Sequence, residues 1–139
     1  EIVFCGYGEP TCRITDVLKA AGELRKLGLP LRLDTNGHGN MINGRDVVSD
    51  LAGVFDGVSI SLNAHDRQSY MRLCRPDAGE KAFDAVLDFI KRVAASPMEC
   101  TVTVLDHPGA DVEASRALVA AIPRAKFRVR RYHLAPGGE

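Results

Sequence analysis

Two rhythms of apolar residues alternate along this chain. Ile2-Val3-Phe4-Cys5 is an apolar run of strand length, stopped by Gly6, Gly8 and Pro10. Ile14, Val17, Leu18, Ala21, Leu24 and Leu27 then return at the spacing of one helix face, with Gly28 and Pro30 as stop signals. Thr15 stands where a side-chain oxygen is expected to cap that helix. A short strand is expected at 31–34, a brief helix around Val47, Val48, Leu51 and Ala52, and a strand at 58–62. Phe83, Val86, Leu87, Ile90, Val93 and Ala94 form a long amphipathic stripe, with Lys81, Asp84, Asp88 and Lys91 largely on its outer side. Residues 101–105 read as a strand, 112–122 as a helix opened by Asp111, and 126–132 as a last strand. Five strands joined by four helical crossovers imply parallel neighbours and right-handed connections.

The strands are two-faced. Val58, Ile60 and Leu62 share one side, and Ser59, Ser61 and Asn63 the other. Leu31 and Leu33 oppose Arg32 and Asp34, Val102 and Val104 oppose Thr101 and Thr103, and Phe127 and Val129 oppose Arg128 and Arg130. A parallel sheet covered by helices on both faces is apolar throughout. Here one face is polar, which predicts a curved sheet with its helices outside and a hydrated, concave inner wall. Arg128 and Arg130 would form a cationic floor for a carboxylate or phosphate, or pair with acids inside that wall.

Composition narrows the partners. The 139 residues suit one domain, 1–139, and carry 18 basic against 18 acidic side chains. No global charge therefore attracts nucleic acid or an anionic membrane. No cationic leader and no long apolar stretch is present, so a cytoplasmic location is expected. Cys5 and Cys100 fall in apolar runs, where cysteine behaves as a small hydrophobe. Cys12 and Cys74 fall in or near loops and read as incidental.

Ligand sites in such sheets lie beyond the carboxyl ends of the strands. The residues expected there are Gly6 to Pro10, Asp34 to Gly37, Asn63 to Asp66, Asp106, His107 and His133. Singly, each has an ordinary explanation. Asn36-Gly37 is a common turn, and His65-Asp66 suits the cap of a following helix. His38, His107 and His133 read as solvated loop residues.

Together they carry a resemblance. Gly6-Tyr7-Gly8-Glu9-Pro10, directly behind a strand, resembles the GGEP motif of the radical S-adenosylmethionine (AdoMet) enzymes, with Tyr7 at the second motif glycine. Leu33-Asp34-Thr35-Asn36-Gly37 resembles the third strand end of activating-enzyme-like members. The segment from Ser59 to Asp66, with Tyr70 and Leu73-Cys74-Arg75-Pro76, looks like the fourth strand and its loop. The likeness covers essentially the whole chain and is nearest to the subgroup associated with TatD-type nucleases. It implies an α/β fold, a partial (β/α) TIM-type barrel lacking its first βα unit, and hence the later portion of a longer protein.

It also implies roles. Gly6, Tyr7, Gly8 and Glu9 would hold the AdoMet amino group, chiefly through backbone atoms. Ser61 and Asn63 would contact its ribose or carboxylate, and Asp34, Thr35 and Asn36 would line the same cavity. Residues 104–109 correspond, loosely, to the segment bordering adenine. The CxxxCxxC loop for a 4Fe–4S cluster is not matched by Cys5, Cys12, Cys74 and Cys100, so no residue is assigned to a metal. The cluster cysteines are expected upstream of Glu1, and the chain alone is expected to be inactive. The full-length enzyme would cleave AdoMet reductively, with electrons from a flavodoxin or ferredoxin, and take hydrogen from an unknown small-molecule or protein substrate. Two other readings stay open: a non-catalytic AdoMet- or nucleotide-binding module, and an α/β-barrel hydrolase using Asp34, His65 and Asp66. Self-association through the exposed first strand is also expected.

Overall fold

A computed structural model describes residues 1–132; His133 lies outside the described residues. Five strands, β1 (Ile2–Phe4), β2 (Leu31–Thr35), β3 (Gly57–Ser61), β4 (Glu99–Leu105) and β5 (Ala125–Arg130), form one sheet in the order of the chain, every pair parallel. Right-handed crossovers that always step in one direction place every helix on the same face. That is the half-barrel arrangement expected from the sequence, and it differs from a doubly wound sheet.

The register shows how the two faces sort. Phe4, Leu33, Val58, Cys100 and Ala125 stand in one row, and Thr35, Ile60, Val102 and Phe127 in the next. Most are sealed under helices α1 (Ile14–Leu24), α5 (Lys81–Ala95) and α6 (Val112–Ala120), in a core with Ala21, Val86, Phe89, Ile90, Val93 and Val119. The opposite face carries the row Asp34, Ser59, Thr101, Lys126 and the row Ser61, Thr103, Arg128. At β5 the apolar cover thins: Val129 is exposed, and Phe127 lies under the Arg116 guanidinium, 4.7 Å from its ring centre. Arg128 and Arg130 are exposed and make no salt bridge among the described residues.

Among the described residues there are also three short α-helices, α2 (Gly39–Asn43), α3 (Val48–Ala52) and α4 (Arg67–Cys74), and 3-10 turns at Pro10–Arg13 and Arg25–Leu27. The α2 and α4 segments lack a long apolar stripe, which is why periodicity passed over them. Asp66 does cap α4, accepting from Ser69 N at 2.7 Å. Thr15 does not cap α1. Glu9 and Pro10 start a 3-10 turn at Pro10–Arg13 that runs straight into α1, leaving Thr15 inside the first helical turn. Cys5 is exposed rather than packed, because β1 ends at Phe4 and Cys5 follows Val3 on the polar side of the sheet's edge. Cys100 is buried in the core as expected. Among the described residues, no helix is long and apolar enough to cross a membrane.

Candidate functional site

The carboxyl ends of the strands are tied to one another by side chains. Glu9, after β1, is the first tie. Its Oε1 accepts from Thr11 N (3.1 Å), Thr11 Oγ1 (2.6 Å) and Thr35 Oγ1 (2.6 Å), and its Oε2 accepts from Asn36 N (2.8 Å). One carboxylate thus joins the Gly6–Glu9 loop to the end of β2. Thr35 can reach it because its register row faces the helices, and its hydroxyl also accepts from Gly37 N at 3.1 Å.

Gly37 allows the next turn. Its φ of +80° is left-handed, and a Cβ there would lie 2.6 Å from Val86 Cγ2 and 2.9 Å from Ile60 Cγ2. No other residue fits that backbone and that gap. Asn36 Oδ1 accepts from His38 N at 2.9 Å, which turns the chain inward. At the end of β3, Asn63 has φ +61° and accepts from Leu105 N at 3.1 Å, tying β3 to β4. Asp106 N donates to Arg130 O at 3.0 Å, and the Asp106 carboxylate accepts from Tyr132 N, tying β4 to β5.

These ties surround a cavity of about 720 Å³, within the range of roughly 300–1,000 Å³ typical of small-molecule sites. Glu9, Asn36, Ser61 and Asn63 line it. Five other residues singled out from the sequence stand elsewhere. Gly6, Tyr7 and Gly8 are exposed and do not line the cavity, with the Tyr7 ring wholly in solvent. Asp34 is half-buried on the polar sheet face, bound to Arg32 Nη1 at 2.6 Å, and Thr35 is buried behind Glu9.

The opposite wall was not assigned from the sequence. His38, Tyr70, Leu73, Cys74 and Arg75 form part of it, the last four from α4 and its end. His38 is buried, contrary to the solvated loop position expected. Its Nε2 lies 2.7 Å from Tyr70 Oη. Removal from water holds the His38 pKa below the ordinary histidine value of 6.5, against the opposing pull of the Glu9 carboxylate. Burial likewise pushes the Tyr70 hydroxyl up and the Cys74 thiol up to about 11. His107 also lines the cavity, with its ring edge-on to Tyr132 at 4.8 Å. The signal for His38 was its place two residues after Asn36 at a strand end; only the fold of α4 supplies its partner.

The hydrolase residues are not brought together. Asp34 is held by Arg32, Asp66 caps α4 and pairs with its neighbour His65 at 3.0 Å, and none of the three lines the cavity. The described residues do not fit a 4Fe–4S cluster either. Among them no three His, Cys, Asp or Glu side chains stand close enough to hold a metal ion, and Cys74 is kept as a thiol. An AdoMet-sized molecule does fit, since the cavity is large enough and offers amide, hydroxyl and carboxylate groups along one wall.

The chain shares its fold with a domain of an activating enzyme. A crystal structure of a domain of pyruvate-formate lyase-activating enzyme from Bacteroides vulgatus matches with a TM-score of 0.75, over 95% of this chain and 80% of that one. Sequence identity is 19%, so the likeness is one of fold. No family model matches the chain, and no curated protein matches it. The partial barrel expected from the sequence is the architecture found.

Proposed function

We propose that the cavity at the strand ends binds AdoMet, and that the chain is the AdoMet-holding part of a radical AdoMet enzyme. One observation carries this reading: the Glu9 carboxylate bonds both loops that resemble the family's motifs and sets them beside Asn63 and Ser61 around a single hollow. The fold shared with a domain of pyruvate-formate lyase-activating enzyme supports it. The narrower likeness to the TatD-associated subgroup rests on the sequence motifs alone.

The chain's own residues then have definite tasks. Glu9 spends four hydrogen bonds on the protein, so it shapes the rim while the backbone of Gly6 to Gly8 stays free for an amino group. Asn63 Oδ1 is engaged with Leu105 N, which leaves its amide nitrogen for an acceptor oxygen. In the resembled superfamily, AdoMet bound beside a 4Fe–4S cluster would supply one-electron, hydrogen-abstracting chemistry, for which this chain's residues would hold and orient the AdoMet. The cavity has room for AdoMet, whereas no three described His, Cys, Asp or Glu side chains stand close enough to hold a metal, so the cluster's ligands would come from outside the described residues.

Calorimetry with AdoMet on the purified chain tests the binding, with adenosine as the control. Saturable heat with AdoMet is expected; none at millimolar ligand ends the reading. Stoichiometric iron and sulfide in protein that carries this chain together with a CxxxCxxC loop would separate the radical enzyme from a binding module without redox chemistry.

A further inference from the structure

We infer that His38 is a ligand-contacting residue of the cavity, presenting Nδ1–H as a neutral donor to an acceptor atom of the bound molecule, with Tyr70 as the positioning residue that fixes its tautomer. This rests on the AdoMet reading for the identity of that molecule, and its acceptors are the carboxylate, the ribose hydroxyls and the adenine nitrogens. Tyr70 sets the tautomer. Its ring is sealed in the core against Phe83, 5.6 Å between centres, and His38 Nε2 at 2.7 Å is its hydroxyl's hydrogen-bond partner among the described residues. A buried hydroxyl that fails to donate loses the worth of a hydrogen bond, so Tyr70 donates and Nε2 accepts. The ring proton then sits on Nδ1.

Nδ1 has no hydrogen-bond partner among the described residues, yet it is not sealed off. Among the described residues His65 Nδ1 alone is a sealed side-chain polar atom without a partner, so His38 Nδ1 keeps access to solvent, and His38 is a lining residue of the cavity. Backbone bonds hold it there: His38 N donates to Asn36 Oδ1, and His38 O accepts from Ile42 N. Desolvation keeps the imidazole uncharged near neutral pH, so it offers one donor and no competing charge.

Two substitutions separate the contact from a packing role. His38→Gln places an oxygen near Nε2 and keeps a partner for Tyr70, while losing the cavity donor. His38→Asn places an amide N–H near Nδ1 and gives up the Tyr70 bond. Calorimetry with AdoMet is expected to show about 10-fold weaker binding for His38→Gln and less than about 3-fold for His38→Asn. The melting temperatures should rank the other way, with His38→Asn the less stable. Two-bond proton–nitrogen spectra of the ligand-free chain should show the Nδ1–H tautomer, mixed once Tyr70→Phe is made. Wild-type affinity in His38→Gln, or an Nε2–H tautomer, overturns the inference while leaving the AdoMet reading intact. No AdoMet binding by the wild-type chain overturns both.

Discussion

Glu9 shows how one side chain converts a sequence motif into a site. Read along the chain, it is one member of a glycine-rich loop; in the fold it accepts four hydrogen bonds from three residues across two strand ends. Glu9→Gln turns one acceptor oxygen into a donor facing donors already committed to it. Losing those bonds should cost about 1–3 kcal/mol in urea unfolding and weaken AdoMet binding together with stability. His38 adds a pH dependence. Its folded pKa lies below 6.5, so on acidification the unfolded chain takes up the proton first. Stability is therefore full above pH 6.5 and falls as pH drops below it toward the folded value. Asp46, held low chiefly by the Val48 N–H, and Asp56, held low chiefly by Arg25, add a separate decline below their ordinary 3.8. Urea midpoints measured against pH should show the limb that starts near 6.5, and His38→Asn should remove it.

At the scale of elements, the turn after β2 is the point where packing is least forgiving. Gly37→Ala combines a left-handed φ with contacts of 2.6 and 2.9 Å to the side chains of Val86 and Ile60. The expected loss is about 3 kcal/mol in chemical denaturation, the sum of backbone strain and overpacking. Asp66→Ala should lower the urea midpoint by removing the cap of α4, and it should blunt the cavity because Tyr70 rides on that helix. Both elements show where legibility in the sequence ended. The strands and long helices announced themselves because period two and period 3.6 are written directly in apolar residues. Helices α2 and α4 are five and eight residues long and carry no such stripe, so their existence depends on caps and on what they pack against. The resemblance picks out Tyr70 and residues 73–76 along the chain, but without a stripe for α4 nothing in the sequence turns them toward the cavity or buries His38 against Tyr70.

For the whole molecule, the sheet's order leaves two free edges among the described strands, β1 and β5. Ile2 N donates to Pro30 O at 2.8 Å, so Ile2 and Phe4 bond inward to β2 while the Val3 N–H and C=O face outward. We propose that a second copy of the chain pairs there. Sedimentation should show dimers that grow with concentration, and Val3→Pro, which removes the outward donor alone, should restore the monomer. A monomeric mass throughout contradicts the proposal. The linear code was sufficient for the parallel order of the strands, for which face is apolar, and for the end of the sheet at which the cavity lies. Those properties follow from local periodicity and chain handedness, which neighbouring residues carry between them. Which of the residues at that end meet was settled in three dimensions. Glu9 with Asn36 and His38 with Tyr70 are separated by 27 and 32 positions, and their contacts arise from the angle at which packed elements bring their ends together.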